Sequence, residues 1–244
     1  MNTEATSPRR WVSASLSDVG LVRSINEDSC RALNDVQVWL VADGMGGHQA
    51  GDVASRSIAE SIDGLAVDER LSDLIEQVCA RIQVVNTFLV AEGRRQHGVI
   101  GSTVAALILR DRHAVCIWAG DSRIYRLRNG RIRQLTRDHR WIEEFVDRGL
   151  LSRGAADNHP MSNEITRAVG ADDLLELSVE MRSVMPGDKY LICSDGLYGE
   201  VAESEIEQIL AVSNLGDACR ELVASAKHGG AHDNVTVIVV QENP

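Results

Sequence analysis

Val36-Gln37-Val38-Trp39-Leu40-Val41-Ala42-Asp43-Gly44 is an almost unbroken apolar run that stops on a carboxylate and a glycine. A strand with one wet face alternates, so a run of this kind reads as a strand buried on both faces. Just upstream, residues 29–33 read as a second strand, with Asn34-Asp35 as the turn between the two. In an antiparallel pair the end of one strand lies beside the start of the other. Asp28, before the first strand, and Asp43, after the second, therefore fall together at one edge of the sheet.

The rest of the chain builds outward from this pair. Val12, Ala14 and Leu16 alternate with Ser13, Ser15 and Ser17, a strand pattern. Residues 52–65 and 69–92 carry apolar side chains close to the 3.6 period of a helix, the second through Leu71, Leu74, Ile75, Val78, Ile82, Val85 and Leu89. Strands return at 103–109 and 113–119, then at 123–128 and 131–135 around Asn129-Gly130, a strong two-residue hairpin signal. A short helix is expected at 141–148. Leu175, Leu177, Val179 and Met181 alternate with Glu176, Ser178, Glu180 and Arg182, predicting a strand with one wet face. A buried strand at 190–193, helices at 203–210 and 215–228, a Gly229-Gly230 helix stop and a last strand at 235–240 complete the series. This order predicts an α+β domain. Two mainly antiparallel β-sheets pack face to face and helices cover their outer faces, a four-layer αββα sandwich. Without a linker, repeat or low-complexity tract, the reading is one domain over residues 11–242 behind a loosely ordered stretch at 1–10.

Composition narrows the function. The 244 residues hold 36 acidic and 25 basic side chains, a net charge of −11, which argues against nucleic acid because a phosphodiester backbone asks for a basic stripe. Uninterrupted apolar stretches such as 104–109 are far short of the roughly 20 residues that cross a bilayer. The first ten residues are polar, unlike a secretory leader. Cys30, Cys79, Cys116, Cys193 and Cys219 are dispersed with no C-x-x-C pair, which reads as reduced core thiols in a cytoplasmic protein; a monomer is the expected form.

The chemistry lies in the acidic residues. Asp18 follows the first strand, Gly120-Asp121 follows 113–119, Ser194-Asp195-Gly196 follows 190–193, and His232-Asp233-Asn234 precedes 235–240. Any single Asp-Gly after a strand is ordinary turn chemistry. Several at one sheet edge are different, because crowded carboxylates repel and cost several kcal/mol each when buried unpaired. A divalent cation relieves this, and a donor set of oxygens without a His/Cys cluster points to magnesium or manganese rather than zinc. Two such ions suit phosphate-ester hydrolysis.

Arg23-Ser24-Ile25-Asn26-Glu27-Asp28, Asp43-Gly44-Met45-Gly46-Gly47-His48, Gly101-Ser102-Thr103, Gly120-Asp121-Ser122-Arg123, Ile165-Thr166-Arg167, Ser194-Asp195-Gly196-Leu197 and Asp233-Asn234-Val235-Thr236 occur in this order. Together they resemble the metal-dependent type-2C serine/threonine protein phosphatases in their compact bacterial form, over essentially the whole chain. The resemblance implies a β-sandwich and two Mn2+ or Mg2+ ions at its edge. It implies that Asp43 bridges both ions, Gly44 offers its carbonyl, Asp195 and Asp233 hold one ion, and Glu27 supports the other. Asp28 and Asn234 then stand behind these ligands, Asn234 orienting Asp233 or a metal-bound water. Arg23 clamps the substrate phosphate, and Asp121 is the candidate ligand of a third, weaker ion. Residues 138–160 correspond to a flap beside the cleft.

One departure matters. Met45 stands where animal members of the family carry a proton-donating histidine. A metal-bound water can take that part, and His48 reads as a structural residue at a helix start rather than a replacement. Ser102 and Thr103 lack a nucleophile elbow and read as hydrogen-bonding supports. The implied activity is hydrolysis of phosphoserine and phosphothreonine on proteins, opposing a Ser/Thr kinase, with phosphorylated proteins and that kinase as partners. The competing readings are an inactive phosphoprotein-binding module and a small-phosphoester hydrolase on the same site.

Overall fold

The computed structural model describes residues 11–46, 50–67, 70–157, 159–161 and 163–243; the expected loose stretch at 1–10 and His48 lie outside them. In chain order come β1 (Trp11–Asp18), β2 (Asp28–Leu33), β3 (Val38–Met45), α1 (Ala50–Ser61), α2 (Leu71–Arg95), β4 (Gly101–Ser102), β5 (Val104–Arg110) and β6 (His113–Ala119). Then follow β7 (Arg123–Arg128), β8 (Arg131–Gln134), α3 (Trp141–Asp147), α4 (Arg153–Asp157), β9 (Ser178–Ser183), β10 (Lys189–Cys193), α5 (Asp195–Tyr198), α6 (Glu203–Val212), α7 (Leu215–Gly229) and β11 (Val235–Glu242).

The strands form two sheets, ordered β1-β11-β10-β7-β8 and β2-β3-β5-β6-β9, with β4 paired to β3. Every pairing is antiparallel. The run that decided the fold behaves as its composition requires. Val38, Leu40 and Ala42 of β3 point to α1 and α2, whereas Trp39 and Val41 point to the other sheet. A third apolar layer, with Leu191, Val237 and Val239 of the sheet against Leu210, Leu222 and Val223, joins the first sheet to α6 and α7. Four layers with three apolar interfaces result, as predicted.

Three details differ from the sequence reading. The α1 helix stops at Ser61 rather than at 65, because Asp63 closes a turn on Glu60 and Gly64 takes φ +72°. The β9 strand is shorter than expected, and Val179 and Met181 on its supposedly covered face are 47% and 49% exposed. Alternation separates two faces without saying what covers them, and β9 is the outermost strand of its sheet. The α2 helix, 25 residues long, is long and apolar enough to cross a membrane on length and composition; here Leu74, Val78, Ile82 and Leu89 are fully buried in the layer against the sheet.

Candidate metal centre

The antiparallel register sets Asp28 directly opposite Asp43, so the β2–β3 hairpin alone brings two carboxylates together. The end of β3 is held by its neighbours. The Asp43 N–H donates to Thr103 Oγ1 at 3.1 Å, and the Thr103 N–H returns to the Asp43 carbonyl at 2.8 Å. Thr103 also shares a 2.7 Å bond with Ser122, and Ser102 donates to the Thr103 carbonyl at 2.8 Å. Both hydroxyls support the strand end, as the sequence suggested. Gly44 fits because nothing larger would. A Cβ there would lie 2.1 Å from the Gly51 carbonyl and 2.6 Å from that of Glu27.

The other sheet supplies the rest. Asp195 opens α5 immediately after β10, and Asp233 sits just before β11. These two strands are paired, so their ends coincide. Ser194 links the sheets. Its hydroxyl donates to Asp28 Oδ2 at 2.7 Å and accepts from the Thr236 N–H at 3.0 Å. Asn234 ties the loop of Arg23 and Glu27 to β11. Its Oδ1 accepts the Glu27 N–H at 2.8 Å, and its Nδ2 donates to the carbonyls of Val19 and Ile25 at 2.9 and 3.0 Å. The sequence expected Asn234 to orient Asp233 or a water; its side chain instead spends its bonds on that loop, while the Asn234 N–H binds Asp233 Oδ1. Arg23, expected at the phosphate, holds Asp233 Oδ2 at 2.7 Å and remains about half exposed.

Electrostatics make these carboxylates costly. Burial, with repulsion from Asp28, Asp195, Asp121 and Asp233, holds the Asp43 carboxyl well above its usual range. Burial and the charges of Asp121, Asp233 and Asp28 push Asp195 up to about 7. Burial pushes Asp28 up to about 6, although the bond from Ser194 opposes it. Asp28 Oδ1 and Asp195 Oδ1 are buried without a hydrogen-bond partner. Orphaned buried oxygens, a crowded acidic cluster and a glycine cradle fit a hard divalent cation. Among the described residues the side chains are not already drawn into a three-ligand cage.

Two expected members sit differently. Asp18 turns away from the edge and pairs with Lys227 at 2.6 Å while accepting the Gly20 N–H. Asp121, the candidate third-ion ligand, is buried against Arg140, whose Nε reaches Oδ2 at 3.0 Å. Arg140 also donates to the Tyr198 hydroxyl, which itself donates to the Asp121 carbonyl at 2.9 Å. Beside them Arg123 grips Asp138 with two parallel bonds and stacks 3.5 Å from the Tyr198 ring centre. The start of the expected flap is thus anchored: Asp138 in this network, and His139 stacked on Trp118 of β6 at 5.7 Å. Arg140 and Tyr198 had no signal in the sequence beyond their nearness to a motif, and Ser194 stood within one without a role assigned to it. A cleft of about 1010 Å³ opens beside these groups, lined by Arg23, Asp195, Asp233, Tyr198 and His232 among others.

The edge of the sandwich thus gathers a cluster of carboxylates with an arginine at its mouth. The chain belongs to the protein phosphatase 2C family, whose model matches residues 22–231. It is 35% identical over 228 residues to the serine/threonine protein phosphatase PstP of Mycobacterium tuberculosis, covering 93% of this chain and 44% of that protein. The chain thus spans less than half the length of that relative. The structure of PppA, described as a key regulatory component of the T6SS in Pseudomonas aeruginosa, superposes with a TM-score of 0.90 at 37% identity, over 97% of this chain and 100% of that one. The catalytic domain of PstP in complex with two manganese ions superposes with a TM-score of 0.85 at 33% identity, covering 95% and 97% of the two chains.

Proposed function

We propose that this chain is a metal-dependent phosphatase acting on phosphoserine and phosphothreonine in proteins. The observation that carries the reading is the edge cluster of Asp28, Asp43 and Asp195, in which one buried oxygen each of Asp28 and Asp195 lacks a partner, beside an arginine that faces the cleft. Asp43, Gly44, Asp195 and Asp233 would hold two Mn2+ or Mg2+ ions, with Glu27 supporting them. Such ions supply Lewis acidity toward phosphate oxygens and an activated water at neutral pH.

The chain's own residues do the remainder. Arg23 carries a planar fork matched to two phosphate oxygens. It pairs with Asp233, and the exposed part of its guanidinium is available to substrate. Asp28, Ser194 and Asn234 hold the two sheet edges and the Arg23 loop in register. Met45, opposite Gly101, offers no proton, so no step is assigned to it. A third ion at Asp121 would compete with Arg140 for the same carboxylate.

The inactive-module reading draws no support, since every carboxylate the family pattern calls for is present in the sequence. Phosphorylated proteins and an opposing Ser/Thr kinase are the proposed partners, a monomer the proposed form, and the cytoplasm, which suits five unpaired thiols, the proposed setting. The test is manganese-dependent hydrolysis of a phosphothreonine peptide and of an aryl phosphate. Chelator and Asp43→Asn should each abolish both, and full activity of Asp43→Asn would overturn the assignment.

A further inference from the structure

Gly229-Gly230 does more than close α7. A Cβ on Gly229 would lie 2.8 Å from Glu200 Oε2, and one on Gly230, where φ is +129°, would lie 2.5 Å from His232 Cε1. Both side chains are therefore seated directly on the glycine backbone. Glu200 Oε1 then accepts twice from the same residue, from the His232 N–H at 3.2 Å and from Nδ1 at 2.6 Å. Glu200 is sheltered, with 15% of its side chain exposed, whereas the His232 side chain is 75% exposed. An exposed residue tied to one carboxylate oxygen through both its main chain and its ring is unusual, because a surface side chain is normally left its rotamer freedom. This one lines the cleft next to Asp233 and on the same cavity as Arg23 and Asp195. With Nδ1 engaged, Nε2 makes no hydrogen bond among the described residues and offers one hydrogen-bonding position to an incoming group.

At about 1010 Å³ the cleft has room beyond a phosphoryl group, and on the phosphatase reading above that room takes the polypeptide that carries it. We propose that His232 is a substrate contact: held by Glu200 as its positioning residue, its Nε2 hydrogen-bonds the main chain of the phosphoprotein beside the phosphorylated side chain. The inference rests on the phosphatase reading above and adds to it a residue that distinguishes a polypeptide from a small phosphoester.

The test compares a phosphothreonine peptide with an aryl phosphate, which has no main chain, at saturating manganese. In His232→Ala the ratio of kcat/KM for peptide over aryl phosphate should fall about three- to tenfold, the range of one hydrogen bond, and KM for the peptide should carry the loss. Glu200→Ala, which frees the ring, should move the peptide KM in the same direction by a smaller factor, and His232→Gln should restore part of it. A lowered melting temperature with a wild-type ratio would make the pair a structural strap and overturn the inference. A loss carried by kcat on both substrates would overturn it too. Wild-type protein without metal-dependent hydrolysis would overturn the phosphatase reading as well, whereas an active wild type with an unaltered His232→Ala ratio would overturn this inference alone.

Discussion

Asn234→Ala isolates the joint on which the centre depends. The side chain is 5% exposed and makes three bonds, one from the Glu27 N–H and two to the carbonyls of Val19 and Ile25. Each such bond contributes about 1 kcal/mol net, and a partner left buried and unsatisfied costs about 1–3 kcal/mol. Leu21, Val22 and Ile25 are exposed, so water reaches part of the vacated site and the upper end of that range does not apply throughout. The loss should therefore be about 2–4 kcal/mol, which for a domain of this size lowers Tm by roughly 6–12 °C. The damage should also be local. Glu27 and Asp233 would no longer be referenced to each other, so manganese affinity should fall roughly tenfold or more, as when other outer supports of a metal site are removed. Urea denaturation in chelator gives the first number, titration calorimetry with manganese the second, and amide exchange at Glu27 shows where the structure opens. Asn234→Asp sharpens the comparison. It retains an acceptor for the Glu27 N–H, loses both donors, and adds charge beside Asp233, so manganese should recover more of its stability than of the alanine variant's. A stability change under about 0.5 kcal/mol with unaltered manganese affinity would refute the reasoning, since it would mean that the loop is held by something else.

Three further outcomes follow from the same geometry. Raised carboxyls bind more protons in the folded protein than in the unfolded chain, so the stability they confer is lost as pH rises through about 6 for Asp28 and about 7 for Asp195. His139, pushed down to about 4 by burial and Arg167, acts oppositely, gaining stability as pH rises between about 4 and its usual value near 6.5. From pH 6.5 to 8 the carboxyls act alone: Tm in chelator should fall and saturating manganese should flatten the slope, whereas a rise in chelator would contradict the cluster. Gly196→Ala places a Cβ 2.0 Å from the Asn234 carbonyl, which is backbone and cannot swing aside; circular dichroism melts should show a large loss, and a wild-type melt would argue against the close approach. Ser194→Ala strands Asp28 Oδ2 and the Thr236 N–H, both buried, and should cost about 2–4 kcal/mol by urea denaturation; a neutral result would mean that the inter-sheet bridge carries little.

The part of the centre that the sequence reveals is the part fixed by neighbouring strands. Asp28 and Asp43 could be paired from the chain alone because a short hairpin has one register, and β10 and β11 likewise end together. The same rule misplaced Asp18. Strand pairing puts its Cα at the edge, but Lys227 on α7 draws its carboxylate elsewhere, and a helix packed from the other end of the chain leaves no local trace. Ser194 bonding across to Asp28, and Arg140 to Asp121, depend on how the sheets and loops stack, for which no residue period exists. The exposure of Val179 and Met181 has the same origin: pattern assigns faces, and only the assembled layers decide coverage.

What the assembled layers add is a division among the acidic groups. Asp121 and Asp138 are buried, yet Arg140 and Arg123 meet them with directional forks. Asp233 has Arg23, and Asp18 has Lys227. Among the described residues no cation within 4.0 Å pairs with Asp28, Asp43 or Asp195, and these three have raised carboxyls and supply two orphaned oxygens. A paired buried carboxylate is a structural element, because its charge is already compensated. An unpaired one is a standing demand for positive charge. The fold has arginines and a lysine to spend on the surrounding acids and leaves the central three without. That selectivity is difficult to explain as turn chemistry or solubility, since either would leave the acids exposed. It follows directly if the missing charge comes from outside the chain.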